Sequence, residues 1–84
     1  MNEEHPFNEW IEFNDRIMIK WLENGTTVIV HPMNDPYQEF WCWAAIDESG
    51  TMWDYRPMPA EEPSALANRQ RAMDSADKHL AALV

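Results

Sequence analysis

The chain has little of what catalytic and membrane-embedded proteins usually depend on. Its one cysteine, Cys42, excludes an internal disulfide and fits a reducing compartment, so a cytoplasmic location is expected. Its two glycines, Gly25 and Gly50, leave no glycine-rich phosphate loop. Six Lys and Arg face fifteen Asp and Glu, a net charge of −9. The resulting field disfavours phosphate backbones and anionic bilayers, so neither direct nucleic-acid binding nor membrane association is expected. The longest apolar runs are a few residues, far short of the roughly 20 needed to span a bilayer. The first fifteen residues carry neither a basic n-region nor an apolar h-region, so no signal peptide is expected.

What the chain does have is aromatic bulk: five Trp, three Phe and two Tyr in 84 residues. A chain of this length makes one domain with a thin core, residues 1–84 as a unit. Large rings compensate, each burying roughly 150–250 Å².

The pattern predicts an α+β domain of order α-β-β-β-β-α. Phe7, Trp10 and Ile11 fall at i, i+3, i+4, and Pro6 suits a first helical position, which predicts a short helix over 4–13. Strands are predicted over 16–22 and 26–31 around Asn24-Gly25, read as a two-residue type I′ turn. That register pairs Trp21 with Val28 and Ile19 with Val30. It gathers Ile17, Ile19, Trp21, Val28 and Val30 on one face, with Met18, Lys20, Leu22, Thr27, Ile29 and His31 on the other.

The two prolines of His31–Tyr37 predict a loop, since proline cannot continue a central strand. A second hairpin follows, 39–47 and 51–56, with Glu48-Ser49-Gly50 as a three-residue loop. It places Trp41, Trp43, Ala45, Trp53 and Tyr55 on one face, and Phe40, Cys42, Ala44, Ile46 and Met52 on the other. Residues 57–63 read as a stiff acidic linker, and 64–83 as a helix capped by Ser64. The expected architecture is an antiparallel four-stranded sheet of two hairpins. The C-terminal helix packs on its Cys42, Ala44 and Ile46 face. The tryptophan face is either covered by the N-terminal helix or partly open.

No chemistry is legible in the spacing. His5, His31 and His79 lie in three different elements and match no zinc signature, so no metal is expected. Cys42 sits mid-strand with no His-Asp arrangement to activate it. The acidic pairs Glu3-Glu4, Asp47-Glu48 and Glu61-Glu62 fall in turns or linkers, where carboxylates are solvated. No cofactor and no enzymatic activity are expected. Trp41, Trp43, Trp53 and Tyr55 could stack bases, but Arg16, Lys20 and Arg56 are too few cations to neutralise phosphates.

The composition points instead to protein–protein contact. Trp41, Trp43, Trp53, Tyr55 and Arg56 supply the residue types that anchor interfaces. Glu3, Glu4, Glu9, Glu12, Asp47, Glu48 and Asp54 supply negative potential. The leading expectation is an inhibitor or adaptor that binds a basic, nucleic-acid-binding surface of a protein partner, its carboxylates standing where phosphates would lie. Small acidic inhibitors encoded by bacteriophages, anti-CRISPR proteins among them, are similar in size and charge, with no motif shared. The alternative is a small structural protein that homodimerises through an aromatic sheet face.

Overall fold

The computed structural model describes residues 7–14, 16–34 and 39–81, the side chain of Asn34 excepted. Five strands and one helix follow in chain order: β1 (Trp10–Glu12), β2 (Met18–Trp21), β3 (Thr27–Asn34), β4 (Glu39–Ile46), β5 (Met52–Pro59) and α1 (Ala65–Ala81). The sheet is an antiparallel meander of order β1-β2-β3-β4-β5 with α1 on one face. The α+β class and the C-terminal helix agree with the expectation. The strand number and the N-terminal helix do not.

The region expected as a helix over 4–13 forms β1 instead; residues 4–6 lie outside the described residues. Asn8 takes φ 67°, which no α-helix admits, and its N–H donates to the Trp21 carbonyl at 2.7 Å. A ten-residue helix is marginal on its own. Pairing with β2 satisfies the same backbone groups and turns Trp10 toward α1, where its Nε1 donates to Asp77 at 3.0 Å. Phe7, expected on the apolar stripe, is exposed.

The first hairpin sits one residue away from the expected register, and the second departs from it by one residue beyond Ile46. In the first, the Gly25 N–H donates to the Leu22 carbonyl and the Leu22 N–H to the Thr26 carbonyl. Gly25 has φ 93°. The connection is therefore a three-residue loop with glycine in the left-handed position, not a two-residue type I′ turn. Trp21 pairs with Thr27 and Met18 with Val30, so Met18, Val28 and Val30 share a face while Ile17, Ile19 and Trp21 turn to the other. The second hairpin has the expected loop, closed by Asp47 and Thr51 with Gly50 at φ 89°. A bulge at Ala45/Ile46 then inserts Trp53, so Ala45 faces Asp54 and Trp43 faces Arg56.

These two shifts decide where the core lies. Trp41, Trp43 and Ala45 share a face with Met18, Val28 and Val30, and α1 covers it with Ala72, Met73, Ala76 and Leu80. The helix therefore packs on the tryptophan face, the reverse of the expected packing. Volume explains the choice. An alanine-rich helix face leaves room that only large side chains fill, and Trp43 fills it completely buried, its Nε1 reaching Ser75 Oγ at 3.2 Å.

β3 runs through Pro32 into the expected loop, and β5 runs through Pro57 and Pro59 into the expected linker. Neither costs a ladder bond. β2 ends opposite Val30, so Pro32 has a neighbour only on the β4 side, and β5 is the sheet's outer strand. Before α1, Asn68 is buried and holds the chain. Its Oδ1 accepts from the Glu61 and Glu62 amides, and its Nδ2 donates to the Glu62 and Ser64 carbonyls. Ser64 Oγ caps the helix at the Ala67 amide, 3.2 Å away. No helix among the described residues is long and apolar enough to cross a membrane.

Candidate functional site

The face of the sheet opposite α1 carries the first candidate surface. Strand pairing places Ile11, Ile19, Ile29, Ala44 and Tyr55 in one row across all five strands. Trp21, Thr27, Ile46 and Met52 form the next row, and His31, Cys42 and Pro57 lie on the other side. No helix among the described residues covers these side chains: the smallest dimension, 21 Å, is the depth of one sheet and one helix layer. The face is as apolar as the one beneath α1 and bears no carboxylate in any of these rows. A sheet face of this composition ordinarily packs against another layer.

Within it, Tyr55 OH donates to Met33 Sδ at 2.8 Å and approaches Cys42 Sγ at 3.4 Å, and the two sulfurs lie 3.1 Å apart. The Cys42 contact and partial burial push the phenol up to about 12. The Cys42 thiol is buried among these soft side chains, and His31 stands opposite it in the β3–β4 ladder with its Nδ1 3.1 Å from the Pro32 carbonyl oxygen. Among the described residues no three His, Cys, Asp or Glu are grouped to hold a metal ion.

The second candidate surface is one end of the sheet. The β2–β3 and β4–β5 turns emerge side by side there, because Thr27 pairs with Ile46. They touch closely: a Cβ on Gly25 would stand 2.5 Å from the Glu48 side chain. The Asn8–Trp21 hydrogen bond brings the start of β1 to the same end. Exposed Glu9, Glu23, Asp47 and Glu48 thus come from three segments onto one end. The Asp47 carboxylate accepts from the Ser49 hydroxyl and from the Thr51 and Ser49 amides, which hold its pKa below the usual carboxylate value and keep it charged.

The residues expected to bind a partner divide among three places. Trp41 and Trp43 are core residues beneath α1, 4 % and 0 % exposed, and present nothing to a partner. Asp54 and Arg56 clamp α1 to β5: Arg56 Nε donates to Asp54 Oδ1 at 3.1 Å, and Asp54 Oδ2 lies 2.9 Å from His79 Nε2. Burial opposes the charge on Asp54, but the Arg56 and Tyr55-amide hydrogen bonds and the Arg56 and His79 charges outweigh it, so its pKa is lowered. Trp53 and Tyr55 remain exposed, Tyr55 on the open face and Trp53 at the bulge. Glu9, Asp47 and Glu48 lie at the turn end, while Glu12 lies toward the opposite end beside the β1–β2 turn. Glu3 and Glu4 lie outside the described residues.

Three acids are drawn into internal ion pairs and subtract from the outward potential: Asp77 with Lys20, Asp54 with Arg56 and Glu61 with Arg71. Sequence reasoning missed the isoleucines of the open face. The expected register put Ile17 and Ile19 on one face with Val28 and Val30 and left Ile29 on the other, whereas the observed pairing sets Ile19 opposite Ile29. No protein-family model, curated protein or solved structure matches this chain.

Proposed function

We propose that this protein is a non-enzymatic interaction module that binds a basic surface of a protein partner, and that its specific form is an inhibitor of a nucleic-acid-handling protein. The observation that carries the reading is the convergence of Glu9, Glu23, Asp47 and Glu48 at one end of the sheet, exposed and with no ion pair among the described residues. Short turns bring these carboxylates together, and the turn hydrogen bonds hold Asp47 in place, so a cationic groove meets that group with little reordering. The net charge of −9 reinforces long-range attraction to such a partner and raises the association rate.

The test is affinity capture from cell extract at low salt, followed by competition. A partner of the proposed kind is displaced by duplex DNA or RNA, and its binding falls as salt rises from about 0.05 to about 0.5 M. The double variant Glu9→Gln/Glu48→Gln weakens capture several-fold and leaves the fold intact. Binding indifferent to salt, to nucleic acid and to both substitutions contradicts the proposal.

A further inference from the structure

We propose that the open sheet face is the contact surface of a second copy of this chain, packed face to face with β2 of each copy running antiparallel across β2 of the other. This goes beyond the partner binding described above and does not rest on it.

The sheet's edges are poor contact sites. β1 is three residues long, and β5 carries Pro57, Pro59 and a bulge on its outer side. Such edges resist strand addition, which leaves the face itself as the surface to be covered. The face is suited to a second sheet: small residues at Ala44 and Cys42 lie between the isoleucine side and the Tyr55 side, and sheets stack at about 10 Å.

Charge selects the occupant and its orientation. The face itself holds neither carboxylate nor lysine in its paired rows, so it offers no charge for a cationic partner to pair with. Its bordering charges stand at opposite ends of one strand. Arg16 precedes β2, beside a shallow groove floored by Ile17 and Ile29, and has no ion-pair partner among the described residues. Glu23 follows β2 in the turn and is exposed. A two-fold axis lying in the interface and crossing β2 near Ile19 exchanges those ends. Arg16 of each copy then meets Glu23 of the other, twice, as an isologous contact requires. An axis along the strands would instead set the acidic turns against one another.

The area fits a weak dimer. Five strands at about 4.8 Å spacing span about 24 Å, and strands of this length give a footprint of about 500 Å² per copy. Two copies bury about 1,000 Å², the lower bound for a specific interface.

Sedimentation velocity on the full chain, from about 1 µM to about 1 mM in 0.15 M salt, tests this; reversible, concentration-dependent association within that range is expected of so small an interface. Ile29→Asp, and independently Ile19→Lys, should leave a monomer throughout, with near-ultraviolet circular dichroism unchanged because neither residue belongs to the core. Arg16→Glu should weaken the dimer about tenfold, and Arg16→Glu/Glu23→Arg should restore it. A wild-type chain that stays monomeric at every concentration overturns the proposal, as does a dimer indifferent to both isoleucine substitutions. A charge exchange that fails to restore association overturns the antiparallel arrangement.

Discussion

Two glycines with nearly the same backbone angle differ in what surrounds them. Gly25 and Gly50 both have positive φ, so any L-residue there is strained by about 1 kcal/mol or more. A Cβ at Gly25 also strikes Glu48, whereas a Cβ at Gly50 meets nothing within 4 Å. Gly25→Ala should therefore lower the urea midpoint at least as much as Gly50→Ala, the excess being small because the exposed Glu48 side chain can turn aside; a smaller loss at Gly25 would contradict the contact. The two buried indoles differ likewise. Trp43 Nε1 is bonded to Ser75, but Trp41 Nε1 is buried with no partner among the described residues. A buried unsatisfied donor costs about 1–3 kcal/mol. Trp41→Phe should accordingly cost less stability than Trp43→Phe, measured by denaturant unfolding. Asn68→Ala breaks four hydrogen bonds at a buried site and should cost about 2–3 kcal/mol, with amide exchange rising first at Glu61 and Glu62.

At the level of elements, the β4–β5 hairpin and its clamp to α1 carry a pH dependence of known sign. Asp47 and Asp54 both have folded pKa values below the ordinary carboxylate value. Their contribution is complete above the unfolded value of about 3.9 and is lost as pH falls through the lower folded values. Stability should hold at pH 5–7 and decline below about pH 4, and Asp54→Asn should flatten part of that decline in urea titrations at successive pH values. The hairpins also show how far the sequence could be read. The glycine positions, the second loop, the Ser64 cap and the in-strand alternation were all legible. The register was not, because Asn24-Gly25 fits both a two-residue turn and a three-residue loop with glycine last. Nothing in the residues around Trp53 announces a bulge. Each ambiguity moves pairing by one residue, and one residue turns every alternating side chain to the other face. That is why Trp41 and Trp43 moved from candidate interface to core, and why Ile19 lost Val28 and Val30 as face neighbours and gained Ile29. The N-terminal segment failed for a different reason: three apolar residues at helical spacing cannot outweigh a neighbouring strand edge that needs pairing.

At the scale of the whole molecule, the fold is two layers with one face finished and one left open. The finished face uses tryptophan against alanine; the open one presents Tyr55 and Met52 to solvent beside half-buried isoleucines. Charge is kept off that face and gathered at the turns, so apolar and electrostatic attraction act at different places. The two therefore answer salt differently. Capture of a basic partner should weaken as salt rises, while apolar burial between two like-charged copies should persist or strengthen as their repulsion is screened. The most direct measurement of this account is solvent paramagnetic relaxation of isoleucine and valine methyl groups in a dilute sample. The account expects strong enhancement at Ile19 and Ile29 and almost none at Val28 and Val30. Isoleucine methyls as shielded as those valines, at a concentration where the chain is monomeric, would contradict it.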